Sequence, residues 1–149
     1  AHPVQGMNII AGYSYNNMRY TKTDSAGSNF VEGQRLVNSP AHTANASLFY
    51  TFSGKYLKGL KLGATAVYIG DRVAGWNNTF ANRNAGIDRR IPIKGYTTLD
   101  LTAGYNWKNF SLLAKVTNLF NELNYIVHEN YSVNPIAPRQ FLATLAYRF

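Results

Sequence analysis

The chain has 149 residues and no cysteine, and its 15 Lys and Arg against 7 Asp and Glu give a formal net charge of +8. At this length one domain is the default; a disulfide framework, thiol chemistry and, for want of a run of about 18 apolar residues, a membrane-spanning helix are excluded. With 15% charged and 14% aromatic residues the composition is also not that of a disordered tail.

Read in chain order, the dominant signal is strict alternation. A strand sends successive side chains to opposite faces. Met7, Ile9, Ala11, Tyr13 and Tyr15 oppose Asn8, Gly12, Ser14 and Asn16, with Ile10 the one apolar exception. Ala44, Ala46, Leu48, Tyr50 and Phe52 oppose Thr43, Asn45, Ser47 and Thr51. Leu60, Leu62, Ala64, Ala66 and Tyr68 oppose Lys61, Gly63, Thr65 and Asp71. Leu99, Leu101, Ala103, Tyr105 and Trp107 oppose Thr98, Asp100, Thr102, Gly104 and Asn106. Phe110, Leu112, Ala114 and Val116 oppose Ser111, Lys115 and Thr117, and Phe141, Ala143, Leu145, Tyr147 and Phe149 oppose Gln140, Leu142, Thr144, Ala146 and Arg148. The pattern predicts six strands, and no segment has a helical period.

The connections alternate in length. Ser53–Gly59 and Lys108–Asn109 are short, whereas those from about Thr23 to Pro40, Asn77 to Lys94 and Asn118 to Arg139 are long. In a membrane barrel one rim carries short turns and the other long loops, alanine and leucine face lipid, aromatic rings sit at the two interfaces, and Asn, Thr, Ser and Gly face water. A soluble sandwich would instead fill its apolar face with Val, Ile and Leu and tuck it into a dry interior. The central alanines and terminal aromatics favour the barrel. Six strands cannot close one, since small barrels need about eight, and an open edge in lipid is not permitted. The expected class is all-β: one wall of a larger antiparallel up-and-down transmembrane barrel. Ala1-His-Pro-Val also lacks the pattern of a signal peptide, as expected if the chain is preceded by other sequence.

The basic charge does not form a nucleic-acid stripe, and nucleic acid is not an expected partner. Lys55, Lys58, Lys61 and Lys108 lie at the short turns; Arg72, Arg83, Arg89, Arg90 and Lys94 surround the second long connection, offset by Asp71 and Asp88. Such a cluster attracts an anionic ligand, or else lipid phosphates. His2, His42 and His128 are isolated, without metal-ligand spacing, so neither a metal site nor a resident cofactor is expected. For His42 the expected role is a structural hydrogen bond at the rim, and for Asp100 a pairing role on the inward face. No nucleophile, base and orienting group are arranged for catalysis, and no Gly-rich phosphate loop is present. Trp76, Arg83, Arg89, Arg90, Tyr125, His128 and Tyr131 are the candidate ligand contacts, because rings give apolar area with a polar handle and Arg pairs with carboxylate or hydroxamate oxygens. The plainer reading of the same residues is loop packing.

Several strings go further. Asn38-Ser-Pro-Ala-His-Thr-Ala-Asn45, Leu57-Lys-Gly-Leu-Lys-Leu-Gly63, Tyr68-Ile-Gly-Asp-Arg72, Asn77-Asn-Thr79, Gly95-Tyr-Thr-Thr-Leu-Asp-Leu101, Val116-Thr-Asn-Leu-Phe-Asn121 and Pro138-Arg-Gln-Phe141 occur in this order. Together they resemble the C-terminal strands of TonB-dependent outer-membrane receptors, closest to the ferric-siderophore branch, over nearly the whole chain. The resemblance implies a barrel of about 22 strands in the bacterial outer membrane, of which residues 1–149 are the C-terminal part. A plug domain and the earlier strands would lie outside this chain. It further implies import of a ferric siderophore or similar chelate, energy coupling to the TonB complex through the plug, contact with outer-membrane lipid and lipopolysaccharide, and recognition of Phe149 by the barrel assembly machinery. Cargo of another kind, a cobalamin-like cofactor or a glycan, and a passive porin or adhesin barrel are the alternatives.

Overall fold

The computed structural model describes residues 3–22, 32–77, 90–128 and 132–149, with the side chain of His128 outside that set. Among the described residues are ten strands: β1 (Met7–Tyr15), β2 (His42–Thr51), β3 (Leu60–Ile69), β4 (Arg72–Trp76), β5 (Arg90–Ile93), β6 (Tyr96–Trp107), β7 (Phe110–Thr117), β8 (Tyr125–His128), β9 (Ser132–Pro135) and β10 (Gln140–Tyr147). Six of them build one antiparallel sheet in the order β1-β2-β3-β6-β7-β10. These are the six strands the alternation predicts. The remaining four form two hairpins, β4–β5 and β8–β9; β5, β8 and β9 lie inside the long connections read from the sequence, and β4 lies just before the second of them.

The register lines up the apolar residues in rows across the sheet. Ile9 stands opposite Leu48, Leu48 opposite Ala64, Ala64 opposite Leu101, Leu101 opposite Val116 and Val116 opposite Phe141. A neighbouring row runs from Leu62 through Ala103 and Ala114 to Ala143. The small side chains leave a trough of about 690 Å³ on this face. No described residue covers it: Leu48 is 44% exposed, Leu145 68% and Phe141 75%. Among the described residues, the buried hydrophobic side chains are Ala74, Trp76 and Val127, all of them in the two hairpins. A soluble sandwich would have its interior between sheets; here the sheet is a single layer whose apolar side needs a hydrocarbon solvent.

Aromatic rings gather at both ends of the rows. At the short-turn end Trp107 stacks on Phe110 (centroids 6.3 Å apart), Phe110 meets Tyr147 (4.8 Å), and Tyr147 meets Phe149 edge-on (5.1 Å). Lys108 places its ammonium 5.2 Å from the Trp107 ring. Asn109 Nδ2 donates to the Arg148 carbonyl (2.8 Å), and Arg148 N–H donates to the Asn109 carbonyl (2.9 Å), which ties β10 to the tight turn. At the opposite end Tyr13 Oη and His42 Nδ1 are 2.7 Å apart, the rim bond expected of His42, and Tyr15 also lies against the imidazole.

The second face is mostly polar. Ser47 and Thr65 share a hydroxyl contact of 3.0 Å, and Lys115 Nζ lies 3.1 Å from Asp100 Oδ2. Asp100 Oδ1 also accepts the Asn118 N–H, giving the carboxylate the pairing role expected of it. Phe49, Ile10 and Leu142 nevertheless share this side by register. Phe49 lies over Gly63, where an added Cβ would sit 2.5 Å from the ring. Gly63→Ala should therefore destabilise the wall by about 1–3 kcal/mol through overpacking. Phe49→Ala in the same chain should recover most of that loss, read from urea midpoints of the assembled barrel. A loss unchanged by the second substitution would place its cause elsewhere.

Candidate functional site

The three long connections meet at the rim opposite the short turns, and one side chain joins them. Arg72 opens β4 and is only 6% exposed. Its Nε donates to Asn38 Oδ1 of the first connection (3.2 Å). Its Nη2 donates to Asn124 Oδ1 (2.8 Å) and to the Tyr125 carbonyl, both in the third connection. The guanidinium also lies 5.4 Å from the centre of the Tyr96 ring, at the start of β6. Asn124 extends the junction by donating from Nδ2 to the Lys94 carbonyl (3.0 Å). Next to it, Asp71 accepts the Gly95 N–H at 2.6 Å, closing the foot of the β4–β5 hairpin.

The third connection has its own knot. Asn118 is buried with φ of 49°, a left-handed conformation that Asn tolerates better than most residues. Its Nδ2 donates to the carbonyls of Glu122 and Ala137 (2.9 Å each), and its Oδ1 accepts the Glu122 N–H (2.8 Å). Asn121, also left-handed at φ 54°, accepts the Arg139 N–H (2.9 Å). Asn118-Leu-Phe-Asn121 is thus a device that pins the entry and exit of this connection beside β10.

Of the predicted contact residues, Trp76 ends β4 at 5% exposure; its Nε1 donates to Gln34 Oε1 (3.1 Å) and its ring lies 6.2 Å from Tyr20. It serves loop packing in this conformation. Arg90 is exposed and stands opposite Trp76 at the start of β5. Tyr125, 40% exposed, opens β8, and His128 closes it opposite Ser132. Arg83, Arg89 and Tyr131 lie outside the described residues. Trp76, Arg90 and Tyr125 therefore sit on two hairpins joined at their feet by Arg72. The residues that make this junction, Arg72, Asn38 and Asn124, are not among those the sequence singles out for ligand contact. A run of asparagines beside strand ends is the signal that could have found them.

The arrangement can recognise a ligand by rings and cations on a braced rim. Among the described residues no three His, Cys, Asp or Glu side chains converge as metal ligands.

Comparison with known proteins gives this geometry a context. Residues 5–119 match the family model described as TonB dependent receptor-like, beta-barrel. The metal-pseudopaline receptor CntO of Pseudomonas aeruginosa is 30% identical over 145 residues, which cover 96% of this chain and 18% of that protein. The ferrioxamine B receptor of Salmonella typhimurium is 27% identical over 112 residues, 75% of this chain and 14% of that protein. Among solved structures, the siderophore receptor PiuA from Acinetobacter baumannii superposes with a TM-score of 0.74 at 22% identity, over 97% of this chain and 20% of that one. The chain thus spans under a fifth of the length of the curated relatives it matches.

Proposed function

This chain belongs to the TonB-dependent receptor β-barrel family, and we propose that it forms the C-terminal wall of a longer receptor importing a ferric siderophore or similar metal chelate. The wall lies in the bacterial outer membrane, where the family's barrels reside, and its apolar rows meet lipid. The observation that carries the proposal is the pairing of this family match with a braced rim bearing two hairpins and exposed cationic and aromatic side chains. In this reading the long connections face outward and the short turns face the periplasm. A plug domain, supplied by sequence beyond this chain, fills the lumen and couples to the TonB complex. The cargo first meets Arg90 and Tyr125, with Arg83, Arg89, His128 and Tyr131 as further contacts. Trp76 joins them only if the packing against Gln34 opens.

A second cargo is favoured by one finding. The 30% identical relative is named for a metal-pseudopaline chelate rather than for a ferric siderophore. Uptake of iron and of other transition metals should therefore be measured side by side, using cells carrying the full-length gene with and without TonB. Uptake that persists without TonB, or that is confined to a glycan, ends the proposal.

Arg89→Glu with Arg90→Glu should weaken binding of an anionic chelate about tenfold at low salt, and by less at high salt, where screening already removes much of the attraction. Titration of the purified receptor at two ionic strengths checks this. Unchanged affinity at low salt would remove this pair from the binding surface.

A further inference from the structure

Beyond β1 and β2 the first connection continues as a short antiparallel ladder. Arg19 bridges Arg35, with Tyr20 N–H donating to the Gln34 carbonyl (3.0 Å) and Leu36 N–H to the Met18 carbonyl (3.2 Å). Alternation divides its side chains. Ser14, Asn16 and Met18 line a cleft of about 320 Å³ with Leu36 and Asn38. Tyr20 and Gln34 turn to Trp76. Arg19 and Arg35 are the intervening residues, and they fall on the other side, the side of Tyr13, Tyr15 and His42.

The two guanidinium groups share one neutral acceptor. Arg19 Nε donates to Asn17 Oδ1 at 2.8 Å and Arg35 Nη2 to the same oxygen at 3.4 Å. Their other bonds go to the carbonyls of Gly33 (2.6 Å) and Asn16 (3.0 Å). Among the described residues neither meets a carboxylate. Two like charges held side by side repel, and donors remain on both groups beyond those already used. A tetrahedral dianion bonded to both would relieve the repulsion, and the guanidinium fork matches it.

Position selects the source of that anion. Tyr15 belongs to the aromatic band that marks the edge of the hydrocarbon. Four residues further, at about 3.3 Å each and with strands tilted by about 40°, Arg19 stands about 10 Å above that edge. The polar headgroup layer extends about 5–8 Å beyond the hydrocarbon, within reach of an arginine side chain held at this height. We infer that Arg19 and Arg35 form a binding site for a phosphate group of an outer-leaflet glycolipid, held against the lipid side of the rim. The inference rests on the proposed orientation, in which the long connections face outward.

The test uses the full-length receptor in detergent, with bisphosphorylated lipid A added and retained adducts counted by native mass spectrometry. Arg19→Gln with Arg35→Gln should lower adduct occupancy at least tenfold, and Arg19→Gln alone, at an exposed position, at least threefold. Lys55→Gln with Lys58→Gln, at the other rim, should leave it unchanged. Equal occupancy in the double Gln variant, or equal retention of lipid A stripped of its phosphates, would overturn the inference. Displacement of lipid A by equimolar inorganic phosphate would also overturn it, since the site would then take a free anion. Chelate import is scored separately. A receptor that imports no ferric chelate but still loses lipid A in the double variant would end the proposed function and leave this site standing.

Discussion

Ala64→Arg in the full-length receptor should cost about 2–4 kcal/mol, whereas Thr65→Arg, one residue along the same strand, should cost about 1 kcal/mol or less. Ala64 lies midway along β3 between Leu48 and Leu101, on the face that no described residue covers. An arginine there must carry its charge into hydrocarbon or bend away to the interface. Thr65 gives up only its hydroxyl contact with Ser47, and an arginine in its place stands opposite Asp100 in a watery lumen. Urea midpoints of barrels refolded into lipid vesicles separate the two. Similar losses at both positions would mean that the two faces do not see different solvents, and the transmembrane reading would fail.

That difference between faces is also why so much of the sheet is legible in the sequence. Lipid demands an apolar side chain at every second position, so period-two alternation survives along whole strands. It places β2 within a residue of its observed span, His42–Thr51, and finds β7 at Phe110–Thr117. Phe49 and Leu142 break the rule on the inward face, where water tolerates an apolar residue and Gly63 makes room for the Phe49 ring. The rim hairpins obey no such rule. β4 is five residues with a register shift between Val73 and Trp76, and Gly75 has φ of 155°. β5 contains Pro92 and β9 ends on Pro135, residues that demote a strand when read from sequence. Short, bulged and proline-bearing, these pairs are held by side-chain bonds between connections far apart in sequence. Arg72 reads as one more cation in a basic cluster until Asn38 and Asn124 are brought to it. Arg90 and Tyr125, singled out in the sequence as a cation and a ring on long connections, are exposed in the structure. The sequence could not place Trp76 in the packing between connections, because its partner Gln34 lies 42 positions away.

Arg72→Met should open the rim without unfolding the wall. The substitution keeps much of the buried volume but removes the donors to Asn38, Asn124 and the Tyr125 carbonyl. Hydrogen bonds from a charged donor contribute about 1.5–3 kcal/mol each, and they are not additive in a shared cluster, so about 3–4 kcal/mol of local stability should be lost. Hydrogen exchange of the β4 and β8 amides should then quicken by about two to three orders of magnitude, while amides of β2 and β3 stay as protected as before. Arg72→Lys should fall between, because one ammonium cannot fork to two connections. Lys94→Met, removing an exposed cation from the same rim, should change neither set of amides. Cargo affinity should fall with the population of the closed rim, since binding must re-form the junction before contacts on both hairpins can act together. Unaltered exchange in Arg72→Met would show that the connections are held by the Asn118 knot and by their own backbone bonds, and that this buried guanidinium is not what makes them move as one.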